Sequence, residues 1–238
     1  MERIEFICRT CGLPGSVELE STGQRSLDSS VSKLLQYLSH DECVERKKIK
    51  IASEAKIASD ISRSLVWIRL CPDEFRKPIN WSKGKVEQQR RKLYSSIMSW
   101  SGEKGLYVFG PSGRCKTRFC WKLMELEFAK HRLIAAFSHS DFRQRVTALA
   151  RDSQTELVRW IDHFARVDIF FMDDFGKGNS TPASEESIHD LLDKRYRENK
   201  ITIFTSERAI AQSCGIFSMD RREAILRRIS EMTEEISV

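Results

Sequence analysis

Residues 110–118 read Gly110-Pro111-Ser112-Gly113-Arg114-Cys115-Lys116-Thr117-Arg118. The run follows the phosphate-loop pattern G-x-x-x-x-G-K-[ST] at every position but one: Cys115 stands where the pattern has glycine. Gly110 and Gly113 let the backbone curl so that several N–H groups point inward. A helix starting near Lys116 adds its positive dipole end and free N–H donors. Lys116 brings a mobile positive charge for terminal phosphates, and the Thr117 hydroxyl is a small, hard ligand for Mg²⁺. A side chain at 115 crowds the approach of a phosphate unless it turns into the protein. The plainer reading is a chance turn followed by a surface lysine, so the neighbouring sequence has to decide.

The flanks alternate. Leu106-Tyr107-Val108-Phe109 is a short apolar run ending at the loop, and residues 116–130 place Phe119, Leu123, Leu126 and Phe128 at mostly helical spacing. Leu133-Ile134-Ala135-Ala136-Phe137 is a second apolar run, followed by one helical stretch over 141–165. Ile169-Phe170-Phe171-Met172 is a third, with a helix over 184–198, and Ile201-Thr202-Ile203-Phe204 is a fourth. Short apolar strands separated by helices predict a parallel sheet covered on both faces.

The third run delivers Asp173 and Asp174 at its end, before Phe175-Gly176. Successive strand residues point to opposite sides. Asp173 can therefore face a metal ion while Asp174 orients or deprotonates a water, the division of labour that nucleotide hydrolysis requires. An ordinary turn after a buried strand would read the same in isolation. The fourth run ends Thr205-Ser206-Glu207, where a hydroxyl can meet a phosphate at the sheet rim or cap the next segment.

Composition sets the outer bounds. With 40% hydrophobic and 31% charged residues among 238, the chain reads as a globular protein rather than a disordered one. One medium domain with a small appendage fits the length, and Cys71-Pro72 and Lys77-Pro78 put the boundary near residue 70: an N-terminal region over 1–70 and a core over 71–238. No apolar run approaches the roughly 20 residues that span a bilayer, and MERIEFICRTCG lacks the pattern of a secretion signal. Seven unevenly spaced cysteines fit a reducing, cytoplasmic setting. The net charge of +6, with clusters at residues 46–50, 89–92 and 221–222, admits an anionic partner such as single-stranded DNA; solvated helix faces explain each cluster equally well.

The order FFMDDFGKG, LLDKRYRENK, ITIFTSE, with LCPDEFRKPIN ahead of it, resembles the AAA+ ATPases of the DnaC/IstB-like branch, which comprises helicase loaders and transposition ATPases. The resemblance covers roughly residues 70–235. It implies an α/β P-loop fold of AAA+ type, ATP and Mg²⁺ as ligands, and ATPase activity in DNA replication. Residues 110–118 then form the Walker A loop, Thr117 and Asp173 hold Mg²⁺, Asp174 activates water, and Ser206 lies in the sensor 1 region. Relatives often end that strand Thr-Ser-Asn, so Glu207 departs from the pattern. Ala224-Ile225-Leu226-Arg227-Arg228-Ile229-Ser230-Glu231-Met232 resembles the arginine-finger helix, with Arg228 the better match and Arg227 the second. This implies self-association through the Arg228 face. No counterpart of a sensor 2 arginine follows, which implies slow hydrolysis. The partner implied is a replicative helicase or, for the IstB-like alternative, a transposase. A nucleotide-gated adaptor with little turnover and a small-molecule kinase are the other readings, the last disfavoured by the finger-like helix.

At the N-terminus, Cys8-Arg9-Thr10-Cys11 is a two-ligand knuckle, and His40 and Cys43 can supply a second pair. Four such ligands would close a tetrahedral Zn²⁺ site and organise a segment too small for its own core. The alternative, unrelated cysteines and a histidine, stays open.

Overall fold

The computed structural model describes residues 2–9, 14–19, 41–79, 81, 85–178, 180–215 and 217–238. The chain divides into two compact units, Met1–Val66 and Trp67–Val238. In the first, β1 (Glu2–Ile7) pairs antiparallel with β2 (Pro14–Leu19), and α1 (Asp41–Leu70) begins. Among the described residues no group of three or more His, Cys, Asp or Glu side chains could hold a metal. Of the expected zinc ligands, Cys8 is buried and Cys43 lies in the first turn of α1, while Cys11 and His40 fall outside the described residues.

The second unit is a three-layer α/β sandwich. After the single-turn helix α2 (Asp73–Arg76) and α3 (Lys85–Met98), the chain alternates β3 (Gly105–Phe109), α4 (Lys116–Ala129), β4 (Ile134–Ser138), α5 (His139–Asp152), α6 (Gln154–Arg166), β5 (Ile169–Phe175), α7 (Pro182–Arg197) and β6 (Ile201–Ser206). A 3₁₀ turn over Ile210–Gly215, α8 (Met219–Met232) and β7 (Thr233–Ser237) complete it. The strands are all parallel, in the order β4-β5-β6-β3-β7. The expected parallel sheet flanked by helices is therefore the sheet found.

Two-residue alternation decides which side chain goes to which layer. Phe170, Met172, Tyr107 and Phe204 pack with α5, α6, α7 and α8 on one face. Ile169, Phe171, Leu106, Val108 and Ile203 pack with α3 and α4 on the other. Trp67, Phe75 and Trp81 close that second layer: Trp67 and Phe75 lie 5.9 and 6.3 Å from Trp121, and Trp81 lies 5.9 Å from Phe119. At the base of the sheet Arg195 is fully buried. Its guanidinium donates to the carbonyls of Phe164 and Val167 at 2.8 and 2.9 Å and to the Thr202 hydroxyl at 2.9 Å, tying α6, α7 and β6 together.

Two elements differ from expectation. The helical stretch over 141–165 is two helices, because Ser153 is extended (φ −163°) and its hydroxyl caps α6 by accepting the Glu156 N–H at 3.3 Å. The fifth strand, β7, carries Thr-Glu-Glu-Ile-Ser and lacks an apolar run, since as an edge strand it sends only Thr233 into full burial.

Candidate nucleotide site

The glycine loop joins the end of β3 to the first turn of α4. At Gly110 (φ 139°) the Cβ of any other residue would stand 3.0 Å from the Val238 side chain, so this position admits only glycine. Gly113 (φ 76°) has open space where a Cβ would be. The outer side of the loop is held by α3: Arg90 donates to the Gly113 carbonyl at 3.2 Å, and Arg114 donates to the Gln89 amide oxygen at 2.7 Å. Arg118 likewise turns away from the rim, donating to the Lys77 carbonyl at 3.2 Å. Cys115 explains the usual glycine at its position. It caps α4 with φ 68° and ψ 21°, in the left-handed region where a side chain is strained, and packs its thiol against the α3–α4 layer.

Lys116 is buried, and its ammonium donates to the carbonyls of Gly110 and Pro111 at 2.7 and 3.0 Å. Burial holds it below the usual lysine range, against the opposing pull of the Glu207, Asp174 and Asp173 carboxylates. One residue on, the Thr117 hydroxyl donates to Asp173 Oδ1 at 2.7 Å. The Thr205 hydroxyl reaches the same oxygen from β6, and the Asp174 N–H donates to Thr205 Oγ1 at 3.0 Å. Burial pushes the Asp173 carboxyl above the usual carboxylate range, with the Thr205 and Thr117 hydroxyls working against it.

A bulge sets the direction of the second acid. Between Met172 and Phe175, β5 carries one residue more than its partner stretch Phe204–Ser206, and Asp174 takes φ 51°. Its carboxylate is bound by Lys177, Nζ to Oδ2 at 3.0 Å. Ser206 is buried, donating to the Phe175 carbonyl at 2.9 Å and accepting the Arg208 N–H at 3.2 Å; the hydroxyl that meets the Asp173 carboxylate from this strand is that of Thr205. Asp174, Lys177, Ser206, Glu207 and Arg208 line one pocket beside the loop. Behind it lies His139, fully buried and stacked on Phe175 at 5.3 Å, with Nδ1 accepting the Gly176 N–H at 2.8 Å. Burial, with Arg143 alongside, pulls its imidazole down to about 4.

The structure thus brings Gly110, Gly113, Cys115, Lys116, Thr117, Asp173 and Asp174 to one rim of the sheet. Arg228 stands elsewhere, on α8, in an intrachain network: its guanidinium meets Asp193 at 2.9 Å and Glu231 at 2.9 Å and covers the Tyr196 ring at 4.2 Å. Arg227 is more exposed and reaches Glu231 only at 3.8 Å. Thr205 and Lys177 were missed as site residues. Parity with Asp173 across two adjacent strands marks Thr205 once the strand order is known, whereas Lys177 has only its position three residues after Asp174 as a signal.

Two donors suited to a hard cation, the Thr117 hydroxyl and the Asp173 carboxylate, stand side by side at the mouth of an open glycine loop, which fits an Mg²⁺-bound phosphate chain. No helix among the described residues is long and apolar enough to cross a membrane.

No family model matches the sequence, and no curated protein matches it. Solved structures do match. A structure of DnaI has 20% identity over 70% of this chain and 94% of that chain, with a TM-score of 0.54. A DnaC helicase loader has 18% identity over 72% of this chain and 98% of the other, with a TM-score of 0.53. AMPPCP-bound DnaA from Aquifex aeolicus has 14% identity over 71% of this chain, with a TM-score of 0.54, and this chain spans 51% of it, about half. The expected AAA+ fold, which these structures share, is the fold of this chain.

Proposed function

We propose that this chain is an ATP-binding and ATP-hydrolysing AAA+ protein that acts in DNA replication in the manner of a helicase loader. The observation that carries the reading is the convergence of Lys116, Thr117 and Asp173 on one rim, with the Thr117–Asp173 contact at 2.7 Å. The loop N–H groups and the α4 N-terminus would surround the phosphates, and Lys116 would leave the Gly110 and Pro111 carbonyls for them. Thr117 and Asp173 would hold Mg²⁺, which neutralises charge on the phosphate oxygens when bound. Thr205, donating to Asp173, fixes the carboxylate's orientation, and Asp174 positions and deprotonates the attacking water. A replicative helicase, single-stranded DNA and further copies of this chain, in the cytoplasm, are the partners this reading assigns; the N-terminal unit, 1–70 in the sequence reading, is its partner-binding part.

Titration of the protein with ATP and with ADP in a calorimeter, with and without Mg²⁺, tests it. Saturable binding that Lys116→Ala abolishes and that Mg²⁺ strengthens only while Asp173 is present is the expected result. No heat at millimolar nucleotide would end the reading.

One set of observations favours a second reading, a nucleotide-gated adaptor with little turnover: Cys115 is strained, Asp174 is occupied by Lys177, and Arg228 is engaged within its own chain. Tight ATP binding, with no phosphate release beside any single-stranded DNA or helicase tried, would decide for the adaptor.

A further inference from the structure

Three guanidiniums on the outer side of the glycine loop have no task in nucleotide binding. Arg90 on α3, Arg114 in the loop and Arg118 in the first turn of α4 bind neutral oxygens there: the Gly113 carbonyl at 3.2 Å, the Gln89 amide at 2.7 Å and the Lys77 carbonyl at 3.2 Å. Among the described residues none of the three meets a carboxylate. The acids beside them are matched by other cations, Glu87 by Arg91 at 2.7 Å and Asp73 by Arg76 at 2.7 Å. The positive charge of the three is therefore in excess. Their bonds to neutral oxygens hold them in place and leave further N–H donors on each fork.

Excess guanidinium charge held in position suits phosphate oxygens, which accept two parallel N–H bonds from one fork. The rings of this face then decide between kinds of nucleic acid. Single strands are gripped by stacking their bases on open aromatic rings. Here Phe75, Trp81 and Tyr94 are all half-buried. The Arg118 guanidinium lies over the Phe75 ring at 5.9 Å and that of Arg91 over the Trp81 ring at 5.0 Å. Duplex DNA keeps its bases stacked inside and presents its phosphates outside. With 14 residues, α3 is about 21 Å long, the span of about six base pairs.

We propose that the face formed by α3, the outer side of the glycine loop and the first turn of α4 docks the backbone of duplex DNA, with Arg90, Arg114 and Arg118 on its phosphates. The contact is to the backbone and carries no sequence preference. It lies outside the nucleotide site and holds whether or not ATP is bound, so its failure would leave the ATPase reading untouched.

The test is fluorescence anisotropy of a labelled duplex of about 20 base pairs, and separately of a dT strand of about the same length, against the full chain without nucleotide over a series of salt concentrations. Wild type should bind the duplex, more weakly as salt rises. The triple variant Arg90→Gln/Arg114→Gln/Arg118→Gln should lose about tenfold or more in duplex affinity at low salt, and its slope of log K against log salt should shrink by about three. The same three positions changed to Lys should keep most of the slope. A control that removes as many charges elsewhere, Arg145→Gln/Arg151→Gln/Arg159→Gln, should change duplex binding by about twofold or less. Thermal melting checks that each variant folds; where the triple Gln variant does not, the three single variants replace it, each losing about one unit of slope. The proposal is overturned if the triple Gln variant binds the duplex with wild-type affinity and slope, or if the control loses as much. A wild type that binds the dT strand but not the duplex overturns it as well, and so does one that binds neither at low salt.

Discussion

The Thr117 hydroxyl donates to Asp173 Oδ1 at 2.7 Å, joining residues 56 positions apart. The contact exists because β6 is inserted between the loop strand β3 and the acidic strand β5, and all three run parallel, so their C-terminal ends share one rim. β6 then adds Thr205 to the same carboxylate from between them.

Asp173→Asn separates stability from function. Burial holds this carboxyl above the usual range, so near neutral pH the fold bears a charge it disfavours. The nucleotide-free variant should melt at a higher temperature than wild type, while the rise in melting temperature that Mg²⁺-ATP gives wild type should shrink or vanish. Thermal unfolding with and without Mg²⁺-ATP reads both.

Cys115 carries left-handed backbone that costs a non-glycine residue about 1–2 kcal/mol. Replacement by glycine removes the strain but also the packed thiol and some chain stiffness, so Cys115→Gly should leave stability within about 1 kcal/mol of wild type. Cys115→Val adds branching at the same φ and should lose about 2 kcal/mol or more. Urea unfolding of the two variants checks the contrast.

His139 gives a pH dependence with a defined sign. Its folded value of about 4 lies below the ordinary 6.5, because burial and Arg143 disfavour the cation. Between those values the unfolded chain takes up a proton that the folded chain refuses, so stability should fall as pH drops through this window. The loss should reach about 2–3 kcal/mol between pH 7 and pH 4.5. His139→Asn, which retains an acceptor for the Gly176 N–H, should lack this share of the slope. Denaturant titrations of both proteins across the window test it.

Arg228 and Arg227 make opposite predictions. Arg228 is joined to Asp193, Glu231 and Tyr196 of its own chain, so Arg228→Ala should lower the melting temperature of the isolated protein. Arg227→Ala, losing one long contact, should not. If copies of this chain complete one another's sites, the variant that lowers turnover only at protein concentrations where copies associate identifies the arginine that reaches across. Sedimentation alongside phosphate release supplies that measurement.

The order of strand, glycine loop, helix and acidic strand was legible in the amino-acid order, because apolar runs and turn residues act over a few neighbouring positions. Gly110 to Thr117 and the Asp173-Asp174 pair could be picked out on that ground. So could the parallel sheet, since strands covered on both faces must be apolar throughout. The sequence by itself could not locate β7, whose Thr-Glu-Glu-Ile-Ser reads as polar until an edge position is assigned to it. Nor could it choose Thr205 over Ser206, reveal the bulge that turns Asp174 toward Lys177, or find the carboxylates that already hold Arg228. Each of these depends on which strand neighbours which and on which side chain lies within about 3 Å of another. Such distances are set by packing between segments far apart along the chain, and only the folded structure brings them into being.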